Sequence, residues 1–216
     1  MAQVFSNRFG LLVKAALLCL LPVVIIGVYA WRTEIGLLPT VNTPMKQPLP
    51  FSHKHHVLDD GIDCRYCHAD VETSAHAGLP PLSTCMTCHS QLYSDAPVLQ
   101  PLRTAWAEKK PIHWIRINTL PDFVYFNHSI HIAKGIGCSS CHGQVQHMPR
   151  TWRAASLEMK WCLDCHRGPE KALRPQSEIF DMTWRPPADQ AAIGARLLKQ
   201  YHIDKPLLIE CSTCHR

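Results

Sequence analysis

The sequence predicts a mainly α fold with much irregular coil, carried behind one N-terminal transmembrane helix. Three observations predict it: an almost wholly apolar run opens the chain, 17 prolines break up the remainder, and all but one of the 11 cysteines fall into five Cys-x-x-Cys-His strings. With 46% hydrophobic and 18% charged residues the chain is not disordered. Prolines at this density weaken any case for long unbroken helices or a continuous sheet.

From Phe9 to Trp31 the only charge is Lys14, and Pro22 interrupts the run midway. That length crosses a bilayer. Arg8, Lys14 and the amino terminus outweigh Arg32 and Glu34, which sets the N-terminus inside and the remainder outside. Residues 1–35 are therefore expected to anchor the protein in a bacterial cytoplasmic (inner) membrane, with the rest on the periplasmic side. A cleaved signal peptide is the alternative, because Val28-Tyr29-Ala30 makes a passable small-residue cleavage site. Cys19 reads as a small apolar residue of the span. In residues 36–50, Pro39, Pro44, Pro48 and Pro50 impose extended, semi-rigid chain, which predicts a stalk.

Residues 51–216 carry the chemistry. Cys64 and Cys67 precede His68, Cys85 and Cys88 precede His89, Cys138 and Cys141 precede His142, Cys162 and Cys165 precede His166, and Cys211 and Cys214 precede His215. Two thiols three residues apart on a helical turn reach the two vinyl groups of one porphyrin, and the next residue offers its imidazole to the iron. The strings therefore predict five covalently bound haem c groups with those histidines as proximal ligands. Zinc gives no reason for a histidine after every pair. A thioredoxin-like site needs one Cys-x-x-Cys, and a two-residue disulfide loop repeated five times is strained. So many porphyrins in so short a segment must supply much of the core, giving a multihaem cytochrome c fold with a haem-stacked interior. Each ferric haem with ionised propionates adds about −1, which takes the formal +5 close to zero. The basic balance is therefore no sign of nucleic-acid binding.

Distal ligands come from a repeat. Phe51-Ser52-His53-Lys54-His55-His56 and Phe126-Asn127-His128-Ser129-Ile130-His131 share the pattern FxHxxH and continue alike, through Gly61-Ile62 to Cys64 and Gly135-Ile136 to Cys138. Histidines three apart share a helical face a turn apart, so one can ligate the following haem and the other a neighbour. His53, His56, His128 and His131 are thus four distal candidates. The fifth is open between Met159, Met148 and His147, a thioether raising the potential relative to a second imidazole. Gap-filling in the core is the competing role for either methionine. His55 is expected at the surface, and His76, His113 and His202 as bystanders.

The motifs divide the domain into a two-haem module, 51–95, and a three-haem module, 120–216. Between them Asp95 to Lys110 reads as a helix breached by Pro97 and Pro101, followed by a strand-like alternation from Pro111 to Ile117. Pro186-Pro187 opens a helix from Ala188 to Tyr201 with Ile193, Leu197, Leu198 and Tyr201 on one face.

The runs Leu120-Pro121-Asp122-Phe123-Val124-Tyr125-Phe126-Asn127-His128, Met159-Lys160-Trp161-Cys162-Leu163-Asp164-Cys165-His166-Arg167 and Cys211-Ser212-Thr213-Cys214-His215-Arg216 resemble the pentahaem subunit of bacterial alternative complex III. A broader similarity, through FxHxxH before CxxCH, is to class III multihaem cytochromes. The resemblance covers nearly the whole chain. It implies an electron-transfer subunit of a quinol-oxidising membrane complex, of a respiratory or photosynthetic chain, partnered by an iron–sulfur subunit, a quinol-oxidising membrane subunit and a monohaem cytochrome. No catalytic residue and no small-molecule substrate are expected. The alternatives are a multihaem reductase, which needs an iron with an open distal position, and a free-standing membrane-anchored quinol dehydrogenase.

Overall fold

The computed structural model describes residues 6–34 and 41–215, in two units, Met1–Thr40 and Val41–Arg216. The first holds one helix, α1, Asn7–Glu34, continuous through Pro22. Its Arg8–Trp31 portion, 24 residues, is long and apolar enough to cross a membrane, spanning about 36 Å at the α-helical rise. A helix of this kind near the N-terminus serves equally as an anchor or as a signal sequence.

The second unit is mainly helical, and no strand forms among its described residues. Its helices are short, because prolines and glycines punctuate the chain: α2 Cys64–Cys67, α3 Leu82–His89, α4 Gln100–Glu108, α5 His128–Ala133, α6 Ser139–His142, α7 Met159–Arg167, α8 Gln190–Gln200, α9 Lys205–Leu208 and α10 Cys211–Cys214. Residues 36–40 of the expected stalk lie outside the described residues. Val41 to Leu49 runs along its own unit: the Asn42 N–H donates to the Arg153 carbonyl at 2.7 Å, that of Met45 to Thr151 at 3.2 Å, and Leu49 is buried.

The expected strand from Pro111 to Ile117 does not form. Its one ladder-like pairing is to a side chain: the Gln47 amide accepts from the Ile115 N–H and donates to the Ile115 carbonyl, both at 2.9 Å. A primary amide offers the same donor and acceptor as a peptide group, so one glutamine satisfies a residue that a neighbouring strand would otherwise have to meet. Upstream, Pro97–Leu99 makes a 3-10 turn and Pro101 sits in the first turn of α4. There the missing N–H costs nothing, so the two prolines start helices rather than breach one.

α8 is three residues shorter than the expected Ala188–Tyr201. Leu197 and Gly194 are its buried residues, and the glycine lies against the Glu170 backbone, where a Cβ would collide with the carbonyl. Apolar burial in this unit is sparse. Val71, Ile132 and Ile179 form its main cluster, with Ala77 and Phe180 against them. So small a core cannot by itself offset the ordering entropy of a unit this long.

Candidate functional site

The two FxHxxH segments fold alike from unlike local sequence. In the second, Asn127 caps α5 by accepting from the Ser129 N–H at 2.9 Å. In the first, Ser52 accepts from the His55 N–H at 3.2 Å, and Lys54–Asp59 winds as a π-turn. Each phenylalanine stacks on the second histidine and meets the first edge-on. Phe51 lies 4.5 Å from His56 and 4.9 Å from His53, and Phe126 lies 4.5 Å from His131 and 4.7 Å from His128. Gly61 and Gly135 follow at φ +70 and +82, left-handed turns that favour glycine.

Every Cys-x-x-Cys-His string lies on a helical turn that brings its two thiols to one side. At the first, third and fifth strings the histidine N–H closes the turn onto the carbonyl of the first cysteine, at 2.9, 3.0 and 2.8 Å. The second and fourth lie inside α3 and α7.

All five of these histidines have Nδ1 engaged. That of His68 donates to the Gly78 carbonyl at 2.8 Å, His89 to Leu92 at 3.1 Å, His166 to Leu208 at 2.8 Å and His215 to Phe123 at 3.1 Å, while Nδ1 of His142 lies 3.0 Å from the Asn118 amide. The four FxHxxH histidines do the same. Nδ1 of His56 and of His131 donates to the carbonyl four residues back, at 2.9 and 2.7 Å, His128 to Ala75 at 2.8 Å, and His53 pairs with the Thr151 hydroxyl at 2.9 Å. Nine imidazoles are thereby fixed in orientation; the eight whose Nδ1 meets an oxygen can spend the Nδ1 proton there and leave Nε2 over, the arrangement of metal-ligating histidine, while at His142 the Asn118 amide nitrogen donates to Nδ1. None of these partners except Asn118 and Thr151 is a side chain, so nothing in the sequence marked them.

The rings meet in pairs. His56 faces His89 with centroids 6.1 Å apart, His128 faces His142 at 6.4 Å and 6° from parallel, and His131 faces His166 at 6.2 Å. Two imidazoles on opposite sides of one metal, each bonded at about 2.0 Å, have ring centres about 6 Å apart, so the gaps fit a single iron. His53 is held well below the usual imidazole range, at about 4, by burial and then by His68, His56 and His142. His142 is pushed to about 4 by burial and then by His128 and His68. Burial lowers His131 too, with His166 and His128 adding to it. Neutral imidazole, the form that binds metal, is therefore favoured where the rings converge.

His215 has no histidine opposite it among the described residues; its ring partner is Phe123, stacked at 5.8 Å. Of the candidates for its distal side, Met148 is 1% exposed and packed in the core, whereas Met159, at the start of α7, is 66% exposed. His147, His76, His113 and His202 are at the surface, and His55 faces Asp59 and Asp60.

The thiols are neighbours from string to string. Burial and then Cys85 push the Cys67 thiol up; burial and then Cys64 push Cys138 up to about 11; burial and then Cys165 and Cys162 push Cys141 up to about 12; burial and then Cys214 raise Cys162. No disulfide links the described cysteines. Large exposed apolar side chains flank the strings: Tyr66, Leu79, Leu92, Phe123, Tyr125, Ile130, Leu207 and Ile209. Apolar surface of that extent around thiols and unpaired imidazole nitrogens fits porphyrin faces.

One residue outside every motif stands out. Arg174 is 2% exposed and its guanidinium donates to the hydroxyls of Ser139 and Ser140, between the two cysteines of the third string, at 3.0 and 3.1 Å. It lies 4.2 Å over the Trp184 ring. Gly137 is pressed against it where any Cβ would collide.

These features are the ones that binding of covalently attached haem calls for. Residues 124–216, less than half of the chain, match the family model described as cytochrome c7 and related cytochrome c. The chain is also 36% identical, over 98 residues, to the multihaem cytochrome c subunit of menaquinone reductase from Nitratidesulfovibrio vulgaris. That match covers 45% of this chain and 46% of the relative, so the chain spans about half the length of the curated relative it matches.

Proposed function

We propose that this protein relays single electrons through five haem c groups as a subunit of a membrane quinol:electron-acceptor oxidoreductase. The observation that carries the reading is the set of nine histidines fixed at Nδ1, six of which meet in pairs with ring centres about 6 Å apart, the separation of two imidazoles bonded to one metal. When bound, haem c supplies reversible one-electron chemistry at iron.

The chain's own residues do the rest. The ten string cysteines hold the porphyrins; His68, His89, His142, His166 and His215 are the proximal ligands; His53, His56, His128 and His131 the distal ones, in the pairs His53 with His68, His56 with His89, His128 with His142, and His131 with His166. Met159 would take the distal place opposite His215. It precedes Cys162 by one helical turn, Cys162 neighbours Cys214, and its exposure leaves it no packing role, while Met148 fills the core. Every iron would then have two protein ligands and none would be left for a substrate, which makes the subunit a relay rather than an enzyme.

The membrane complex is supported by the apolar α1 and by the similarity to the menaquinone reductase subunit. The haem domain lies on the periplasmic side, in the relay reading, with an iron–sulfur subunit, a quinol-oxidising membrane subunit and a monohaem cytochrome as partners. Alternative complex III, which the motif runs resemble, oxidises quinol, whereas the relative's name puts the quinone at the receiving end. A relay of haems, each held by two protein ligands, would pass electrons in either direction.

Low-temperature electron paramagnetic resonance of the oxidised protein, followed by exposure of the reduced protein to carbon monoxide, tests the relay. Low-spin signals alone and no carbon monoxide binding are expected. One high-spin, ligand-binding haem would make the protein a multihaem reductase instead. Mild-detergent purification that yields this chain alone, active with quinol, would overturn the membership of a complex.

A further inference from the structure

The order of the haem sites is not their order in the sequence. Two sites share each FxHxxH turn: His56 faces His89 of the second string while His53, three residues earlier and touched by the same Phe51 ring, neighbours His68 of the first. Likewise His128 faces His142 of the third string and His131 faces His166 of the fourth, with Phe126 against both. Side chains three apart on one turn lie about 5–6 Å apart, so the second site adjoins the first and the third adjoins the fourth.

Two further contacts join these pairs and add the last site. One short loop holds both His68, through the Gly78 carbonyl, and His128, through the Ala75 carbonyl, each at 2.8 Å. This puts the first site beside the third. His166 is held at 2.8 Å by the carbonyl of Leu208, three residues ahead of Cys211, and the Leu207 carbonyl accepts from the Thr213 hydroxyl inside the fifth string at 2.6 Å. This puts the fourth beside the fifth. The thiol neighbours run in the same sequence, and no contact of these kinds ties the second string to the third, fourth or fifth among the described residues.

We infer that the five sites form one unbranched row in the order second, first, third, fourth, fifth, with Cys85–His89 and Cys211–His215 at its two ends. The inference rests on the relay reading. A separate observation agrees with it: of the ten string cysteines only Cys88 and Cys211, one from each end, are exposed, and the other eight are half-buried. The two ends are the places where an outside electron carrier approaches a site without another site intervening.

The test uses the full chain with its haems in detergent. Removing one distal imidazole makes one high-spin iron, which speeds the relaxation of the low-spin signals next to it. His56→Gly, at the end of the row, is expected to perturb one low-spin signal; His128→Gly, in the middle, two. Added imidazole should restore both spectra in the same samples, which separates ligand loss from misfolding. Two or more perturbed signals for His56→Gly, or only one for His128→Gly, would overturn the row while leaving the relay intact. Fewer than five haems in the unaltered chain would overturn the relay reading and the row with it.

Discussion

Replacing Arg174 by methionine should destabilise the haem unit and empty the third string first. The side chain makes two charge-assisted hydrogen bonds to Ser139 and Ser140 at 3.0 and 3.1 Å, each worth about 1.5–3 kcal/mol. Its 4.2 Å contact with Trp184 adds about 1–2 kcal/mol in a desolvated setting. The bonds to the Glu178 and Asp181 carbonyls are long, 3.3 and 3.4 Å, and contribute little. Against this stands the cost of burying a guanidinium, which lowers its proton affinity, has no carboxylate bonded to it and leaves Nε without a partner; that penalty is several kcal/mol. The balance is a net loss of about 2 kcal/mol, or roughly 4–8 °C in melting temperature for a unit of this size. Because both serines lie between Cys138 and Cys141, haem attachment should fall at that string alone. Thermal melting and peptide-level haem mapping of Arg174→Met and Arg174→Lys are the assays, the lysine keeping the charge but not the fork. A methionine variant that melts within about 1 °C of the unaltered protein and keeps every haem would refute the reasoning.

Three other outcomes are expected from the same geometry. Met159→Ala should open one iron to carbon monoxide without lowering the melting temperature, whereas Met148→Ala should leave carbon monoxide binding absent and cost about 2–5 kcal/mol; the reverse pattern would exchange their roles. His53 and His142 are held at about 4 in the folded chain against 6.5 unperturbed, so between those values the unfolded chain takes up protons that the folded chain refuses. Ligation to iron acts in the same direction as burial, so stability should fall as pH drops below about 6.5; equal melting at pH 7 and pH 5 would contradict this. Gly194→Ala should lower the melting temperature markedly, because its Cβ would strike the rigid Glu170 backbone, and an unchanged melt would show that α8 can shift away.

Much of the architecture was legible because it rests on local signals. The helical turn at each string, the FxHxxH repeat and the apolar N-terminal helix are set by spacings of a few residues. What escaped is carried by the backbone or by distant partners. Gly78, Leu208 and Phe123 orient histidines through carbonyl groups, which any residue possesses, and Arg174 reaches Ser139 and Ser140 across 34 or more residues. The alternation from Pro111 to Ile117 has the period of a strand, but the sequence could not say that a single glutamine side chain would take the place of its neighbour. The row of sites was hidden for the same reason: each link but the two FxHxxH turns is a long-range contact.

The most direct test of the central claim is the intact mass of the purified, haem-loaded chain. The predicted mass is the polypeptide plus five haems, one for each Cys-x-x-Cys-His string. A mass carrying four haems or fewer, with the remaining cysteines free, would contradict the claim.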